Sequence, residues 1–101
     1  MKPEPWLSLL GLAQRAGKIV SGEELVLSSI RSKKAKLVIV AGDASERTKG
    51  TWENKCAHYG VPLRIVSDRF ELGGAMGKAH RVTIAVNDKG FSEKLIALLD
   101  Q

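Results

Sequence analysis

The fold is decided by an apolar stretch in the middle of the chain, LVIVA at residues 37–41, and by the turn GDAS at residues 42–45 that follows it. A short, continuous run of apolar and β-branched residues is typical of a strand that is covered on both faces. Glycine, aspartate and serine together are typical of a turn that precedes a helix. We therefore predict a central strand that leads directly into a helix.

The sequence before this strand predicts two helices. The first begins at Pro5 and carries apolar residues at helical spacing as far as Ala16, with Gly17 as its stop. After a short extended piece at residues 18–20, Ser21-Gly22-Glu23-Glu24 resembles a capping box, in which the serine hydroxyl and the second glutamate satisfy the first N–H groups of a helix. That second helix ends in a basic segment at residues 31–36.

The sequence after the central strand continues the alternation. The predicted elements are a helix at residues 46–59 that is ended by Gly60, a strand at 63–66, a short helix capped by Ser67-Asp68, a strand at 82–86, a turn at 87–90 and a helix at 92–99. Alternating strands and helices in a short chain indicate an α/β domain, with a small mixed sheet covered by helices on both faces. Loops that leave the strands are the expected place for a ligand.

The size and composition limit the alternatives. With 101 residues, 44% apolar and 27% charged, the chain is expected to form one domain around a single core. A lone cysteine, Cys56, excludes an internal disulfide framework and agrees with a reducing compartment. The chain has neither a membrane-length apolar run nor the apolar core of a signal peptide, so we expect a cytoplasmic protein that does not enter a membrane.

The positive charge is concentrated near the N-terminus. The net charge is +5, of which residues 1–40 contribute +4, residues 41–70 contribute +1 and residues 71–101 contribute nothing. A local basic surface attracts polyanions, which favours nucleic acid as the partner. A solvated lysine-rich face explains the charge about equally well.

No catalytic or metal-binding constellation is evident. Cys56 and His58 are two residues apart on a predicted helix and point to different faces, so neither a metal site nor a Cys–His pair forms there. We expect Cys56 to be a small core residue. The glycines at 73–77 are too closely spaced for a Walker A loop, and Ala79 follows Lys78 where that loop has serine or threonine. These glycines indicate a close backbone approach, either to a neighbouring element or to a polyanion.

The order of the motifs identifies a family resemblance. The segments KIVSGEE at 18–24, AKLVIVAGDAS at 35–45, Cys56, Val61-Pro62 and ELGGAMG at 71–77 together resemble the kink-turn-binding superfamily of ribosomal proteins, the L-seven-Ae and L-thirty-e group. With GLAQRAGK at 11–18, the chain is most similar to the bacterial YlxQ-type branch. The resemblance implies a three-layer α-β-α sandwich around a four-stranded mixed sheet.

The resemblance also implies where RNA would bind. In this superfamily the RNA site surrounds the N-terminus of the second helix, in a motif of the form G-x-N-E-x-x-K, with help from the loops after the central strand and before the last strand. Gly22 matches the motif glycine, whereas Glu24, Leu25 and Ser28 stand in place of its Asn, Glu and Lys. Because a leucine cannot hydrogen-bond a base edge, we expect general RNA affinity without standard kink-turn specificity.

Two functional hypotheses follow from the sequence. The first is a non-catalytic RNA-binding protein, ribosomal or ribosome-associated, with no cofactor and no metal, whose partners are structured RNA and ribosome-associated proteins. The second is a protein-interaction adaptor on the same fold, in which an exposed Leu25 contacts a protein partner. The residues predicted to contact RNA are Lys18, Gly22, Glu23, Glu24, Ser28, Lys33, Lys34, Ser45, Lys49, Lys78 and His80.

Overall fold

The computed structural model describes residues 4–101. Five helices and four strands alternate along that part of the chain. In order they are α1 (Pro5–Arg15), β1 (Ile19–Ser21), α2 (Glu23–Arg31), β2 (Leu37–Ala41), α3 (Glu46–Tyr59), β3 (Leu63–Val66), α4 (Arg69–Ala75), β4 (Thr83–Val86) and α5 (Lys89–Leu99).

The four strands form one mixed sheet in the order β1-β4-β2-β3. Strand β2 pairs in parallel with β3 and antiparallel with β4, and β1 is antiparallel to β4 on the other side. Strands β1, β2 and β3 therefore run in one direction, and β4 runs against them. The predicted mixed sheet, with residues 37–41 in its interior, is confirmed.

Alternate residues of β2 enter two separate cores, one on each face of the sheet. Leu37 and Ile39 pack with α1, α4 and α5, whereas Val38 and Val40 pack with α2 and α3. Every residue of β2 is fully buried, which explains why the stretch has no polar position. Helices on both faces of the sheet give the three-layer α-β-α sandwich expected from the sequence.

Most predicted boundaries are confirmed to within one residue, and two predictions are wrong. Residues 37–41 and 63–66 are strands, Ser45 and Asp68 cap α3 and α4, and Gly60 ends α3 in a left-handed conformation. The capping box at residues 21–24 does not form, because Ser21 belongs to β1 and its hydroxyl accepts a hydrogen bond from Arg81. The last helix begins at Lys89 rather than at residue 92, because the Asp88 carboxylate accepts from the N–H of Phe91 and caps it earlier.

Cys56 is a core residue, as expected. It lies on the face of α3 that packs against the sheet, and burial raises the pKa of the thiol to about 11. A thiol that stays protonated at neutral pH is a poor nucleophile and a poor metal ligand. The structure therefore agrees with a packing role for this residue.

The turn after α2 places a lysine where glycine is more stable. Lys33 has φ 63°, and its N–H and that of Lys34 donate to the carbonyls of Ile30 and Ser29, which is the Schellman pattern at a helix end. A side chain at such a left-handed position costs about 1 kcal/mol relative to glycine.

We predict that Lys33→Gly stabilises the protein by about 1 kcal/mol, because glycine adopts the left-handed conformation without a Cβ clash. For a domain of this size that gain corresponds to a rise of about 4–8 °C in the melting temperature, measured by circular dichroism. Lys34→Gly is the matched control, since its φ is not positive, and we expect no stabilisation. Equal effects at the two positions would contradict the assignment.

Candidate nucleic-acid interface

One end of the sheet collects the loops that the sequence singled out. Strands β1, β2 and β3 finish there and lead into α2, α3 and α4, while β4 begins there. We call this the loop end, and define it by the segments at residues 21–24, 42–49, 67–69 and 78–83. Three helices start at this end: Ser45 and Asp68 cap α3 and α4, whereas no side chain caps α2, so the first N–H groups of α2 are available to an anionic ligand.

An open cleft of about 520 Å³ lies at the loop end, between the starts of α2 and α3 and the segment that enters β4. Its walls come from three separate parts of the chain, so it exists only in the folded protein. It is lined by Ser21, Gly22, Glu23, Thr48, His80, Arg81, Val82 and Thr83.

Gly22 lines this cleft at the start of α2. It is the N-cap of α2, with φ 94° and ψ 148°, a conformation that side chains rarely adopt. Its N–H donates to the carbonyl of Thr83 at 3.1 Å, which fixes the start of α2 against β4. No side chain caps α2, so its first N–H groups stay available to a ligand, although Glu23 and Glu24 add negative charge beside them.

Arg81 ties the segment before β4 to the end of β1. Its Nε–H donates to the Ser21 hydroxyl at 3.0 Å and one terminal N–H donates to the carbonyl of His80 at 2.6 Å. Its backbone N–H donates to the carbonyl of Arg69 at 2.9 Å. The residue therefore connects three walls of the loop end and holds the backbone at His80 in place.

A second tie joins the loop after β2 to the start of α4. Arg69 donates through Nε to the Asp43 carboxylate at 3.1 Å and through a terminal nitrogen to the Asp43 carbonyl at 3.0 Å. Desolvation alone would raise the pKa of Asp43, but the hydrogen bonds from Arg69 outweigh it and the pKa is lowered. The tie is thus intact at neutral pH and is lost only as the pH falls through that lowered pKa.

The remaining predicted residues at this end are placed by local contacts. The Ser45 hydroxyl caps α3 by accepting from the N–H of Thr48 at 3.1 Å, and Lys49 lies 3.5 Å from the carboxylate of Glu46. Lys78 and His80 are exposed in the connection between α4 and β4. That connection lies directly against α4, because a Cβ on Gly73 would come within 2.5 Å of the His80 Cα.

The structure brings some of the predicted RNA-contacting residues together and separates others. Gly22, Glu23, Glu24, Ser45, Lys49, Lys78 and His80 lie at the loop end, and Ser28 lies one helical turn beyond Glu24 on α2. Lys18, Lys33 and Lys34 lie at the opposite end of the sheet, beyond the start of β1 and the end of α2. Gly22 and Lys33 are about 16 Å apart along the helix axis, at 1.5 Å per residue.

Sequence reasoning missed three residues of the loop end. Arg69 and Arg81 hold the loops together, and Thr48 lines the cleft. Arg81 and its partner Ser21 are 60 positions apart, so no local pattern links them. The only sequence signal was the placement of both arginines next to predicted strand ends.

We predict that Ser21→Ala and Arg81→Lys each destabilise the protein by about 1 kcal/mol, the net value of a typical hydrogen bond. Arg81→Lys retains the charge but cannot reproduce the planar donor group. Because both changes break the same bond, the double variant should cost less than the sum of the two single variants. Urea unfolding measures the stability of all three variants. If the two losses of stability were strictly additive, the hydrogen bond would not link β1 to the segment before β4.

No cluster of three or more His, Cys, Asp or Glu side chains that could hold a metal ion occurs within residues 4–101. In the same part of the chain, no helix combines the length and apolarity needed to cross a bilayer. The groups present at the loop end are backbone N–H groups, lysines, arginines and a histidine, which hydrogen-bond or carry charge.

Two curated relatives are similar over nearly the whole chain. The RNA-binding protein YlxQ of Bacillus subtilis (strain 168) is 52% identical over 95 residues, which cover 94% of this chain and 95% of that protein. The RNA-binding protein YlxQ of Enterococcus faecium is 42% identical over 94 residues, covering 93% of this chain and 90% of that protein.

A solved structure, described as a protein with unknown function from Bacillus halodurans C, has the same fold at 45% identity. The match has a TM-score of 0.96 and covers 98% of this chain and 100% of that chain. The model of the Ribosomal protein L7Ae/L30e/S12e/Gadd45 family matches residues 4–96. The chain therefore belongs to the Ribosomal protein L7Ae/L30e/S12e/Gadd45 family.

Proposed function

We propose that the protein is a non-catalytic RNA-binding protein that acts in the cytoplasm on ribosomal or other structured RNA, and that the loop end is its binding surface. Its family consists of ribosomal proteins and their relatives, and two relatives are named as RNA-binding proteins. The function needs no cofactor, because binding and release of RNA involve no covalent step.

The observation that carries the proposal is the meeting of three chain segments around the start of α2. Gly22, Thr48 and His80 come from distant parts of the sequence and line one cleft. Exposed N–H groups of α2 suit a phosphate, and Lys49, Lys78 and His80 add positive charge or hydrogen-bond donors around it. Backbone and sugar contacts of this kind recognise the shape of an RNA rather than its sequence.

The composition of α2 argues against standard kink-turn recognition. Glu24 and Ser28 are exposed and one helical turn apart, so both face the same ligand, yet Glu24 offers a carboxylate that only accepts hydrogen bonds. Leu25 is 58% exposed and offers no hydrogen bond. We therefore propose that the natural RNA is held mainly through its backbone, with ribosome-associated proteins as further neighbours.

Filter binding to ribosomal RNA across a salt series tests this function. We expect tight binding at low salt, with an affinity that falls steeply as salt increases, because each lysine–phosphate contact releases a bound counterion. Affinity that stays weak at low salt, or that does not change with salt, would contradict the proposal.

The exposed Leu25 favours one alternative function, a protein-interaction adaptor. Val26 is buried and Leu27 packs against the core, so Leu25 alone among the three apolar residues of this turn faces outward. Pull-down before and after nuclease treatment separates the two functions. A partner that disappears after nuclease supports RNA binding, whereas a partner that survives nuclease supports the adaptor.

A further inference from the structure

The end of the sheet opposite the loop end carries a group of five cations. Lys18 precedes β1, Arg31 ends α2, and Lys33, Lys34 and Lys36 follow it; we call these five residues the basic end. All five are exposed, and none forms an ion pair within the described residues. By contrast, Lys49 at the loop end is paired with Glu46.

Backbone pairing fixes where these cations lie. The Lys36 N–H donates to the carbonyl of Val86, and the Lys18 carbonyl accepts from the N–H of Asn87. Lys18 and Lys36 thus flank the end of β4, about 10 Å apart at two strand spacings. The Asn87 amide also donates to the Ser29 hydroxyl at 3.0 Å, which joins the last turn of α2 to the same place.

Few acidic groups lie near the basic end. The Asp88 carboxylate accepts from the N–H of Phe91 at 2.8 Å and caps α5, and Glu93 lies 3.9 Å from Lys89. The two glutamates of α2 lie at its other end, beside the loop end. The five cations of the basic end outnumber these nearby acidic groups, so this end of the sheet carries a net positive charge.

Stabilisation of the helix alone does not explain this set of charges. Arg31 complements the dipole at the C-terminus of α2, and the Lys36 ammonium donates to the carbonyl of Lys33 at 3.1 Å, so these two cations have a structural role, whereas Lys18, Lys33 and Lys34 have none of this kind. Lys33 occupies a left-handed position at which glycine is preferred, so a lysine there makes the protein less stable than a glycine would. Such a choice indicates that the charge itself is used.

We propose that the basic end is a second RNA-binding surface, distinct from the loop end, that holds the phosphate backbone of a separate RNA segment. With one surface at each end of the sheet, a single protein molecule joins two RNA segments. This inference rests on the proposed RNA-binding function of the loop end. A backbone contact suits lysines, which act as mobile point charges, and needs no base readout.

A capture experiment tests the inference with the full chain. Biotin-labelled ribosomal RNA is immobilised, the protein is bound to it, and a fluorescent 20-base-pair RNA duplex is then added. We expect the wild-type protein to retain the duplex on the surface. The variant Lys33→Gln/Lys34→Gln should still bind the immobilised RNA but should retain less than a fifth of the duplex.

The matched control removes two lysines from other faces, Lys55→Gln/Lys94→Gln, and should retain the duplex as the wild type does. In filter binding of the duplex, removal of the Lys33 and Lys34 charges should reduce the slope of log affinity against log salt by about 0.9 for each phosphate that is no longer neutralised, the value for a double helix. Lys33→Gly provides a second test, because it should lower duplex retention while raising the melting temperature, so misfolding cannot explain the lower retention.

The outcomes separate the two proposals. If the wild-type protein binds no immobilised RNA, both the proposed function and the second surface are wrong. If it binds RNA but the basic-end variant and the control variant retain equal amounts of duplex, only the second surface is wrong. If the Lys33/Lys34 change reduces binding to vesicles containing anionic phospholipid but leaves RNA retention unchanged, the basic end belongs to a membrane contact and the RNA assignment is overturned.

Discussion

Replacing Gly73 by alanine is expected to destabilise the protein by about 3 kcal/mol, at the upper end of the range for overpacking a buried position. A Cβ at this residue would lie 2.5 Å from the His80 Cα, 2.7 Å from its nitrogen and 2.9 Å from its carbonyl carbon. All three are backbone atoms, so no side-chain rotation relieves the clash. Helix α4 and the segment before β4 must move apart.

The same change is expected to reduce RNA affinity by more than tenfold, because His80 and Arg81 line the cleft at the loop end. Gly74→Ala is the control. The neighbouring glycine has open space around its Cβ position and lies inside α4, where alanine is favoured over glycine by about 0.5–1 kcal/mol. Urea unfolding and filter binding measure the two effects. Equal stability of the two variants would contradict the packing of α4 against His80.

The second large effect is a gain of specificity. The triple variant Glu24→Asn, Leu25→Glu, Ser28→Lys places the family motif on α2, and all three side chains are exposed, so the fold should be unaffected. If two base-edge hydrogen bonds are gained at about 1.4 kcal/mol each, affinity for a kink-turn RNA rises about 100-fold. Isothermal titration with a kink-turn hairpin measures this gain.

A permuted variant, Glu24→Lys, Leu25→Asn, Ser28→Glu, is the matched control for the triple variant. It introduces the same three residue types and the same change in net charge at the wrong positions, so we expect no comparable gain. If both folded variants gain equally, charge alone explains the effect. If neither gains, the correspondence between residues 22–28 and the family motif is wrong.

The sheet could be predicted because its signals are local. The apolar run at residues 37–41 is short and rich in β-branched residues, which favours a buried strand, and Asp68 and Gly60 have short-range capping roles that the structure retains. The capping box at Ser21 failed for a non-local reason. A serine hydroxyl accepts from whichever donor tertiary structure supplies, and here that donor is Arg81.

The candidate site was only partly predictable. Lys33 and Lys34 are near Gly22 in the sequence, but α2 carries them to the far end of the sheet, so closeness along the chain did not mean closeness in space. Arg69 was missed because its role depends on the Asp43 carboxylate, which a different strand positions. Residues that act through long-range hydrogen bonds have no periodicity or spacing by which a sequence could identify them.

Ultraviolet crosslinking of the wild-type protein to ribosomal RNA, followed by mass spectrometry of the peptides that carry nucleotides, tests the central claim most directly. We predict adducts within residues 44–49 and 78–82, which contribute Thr48, His80 and Arg81 to the cleft at the loop end. Adducts confined to the exposed faces of α3 and α5, with none in those two segments, would contradict the assignment of the loop end as the RNA-binding surface.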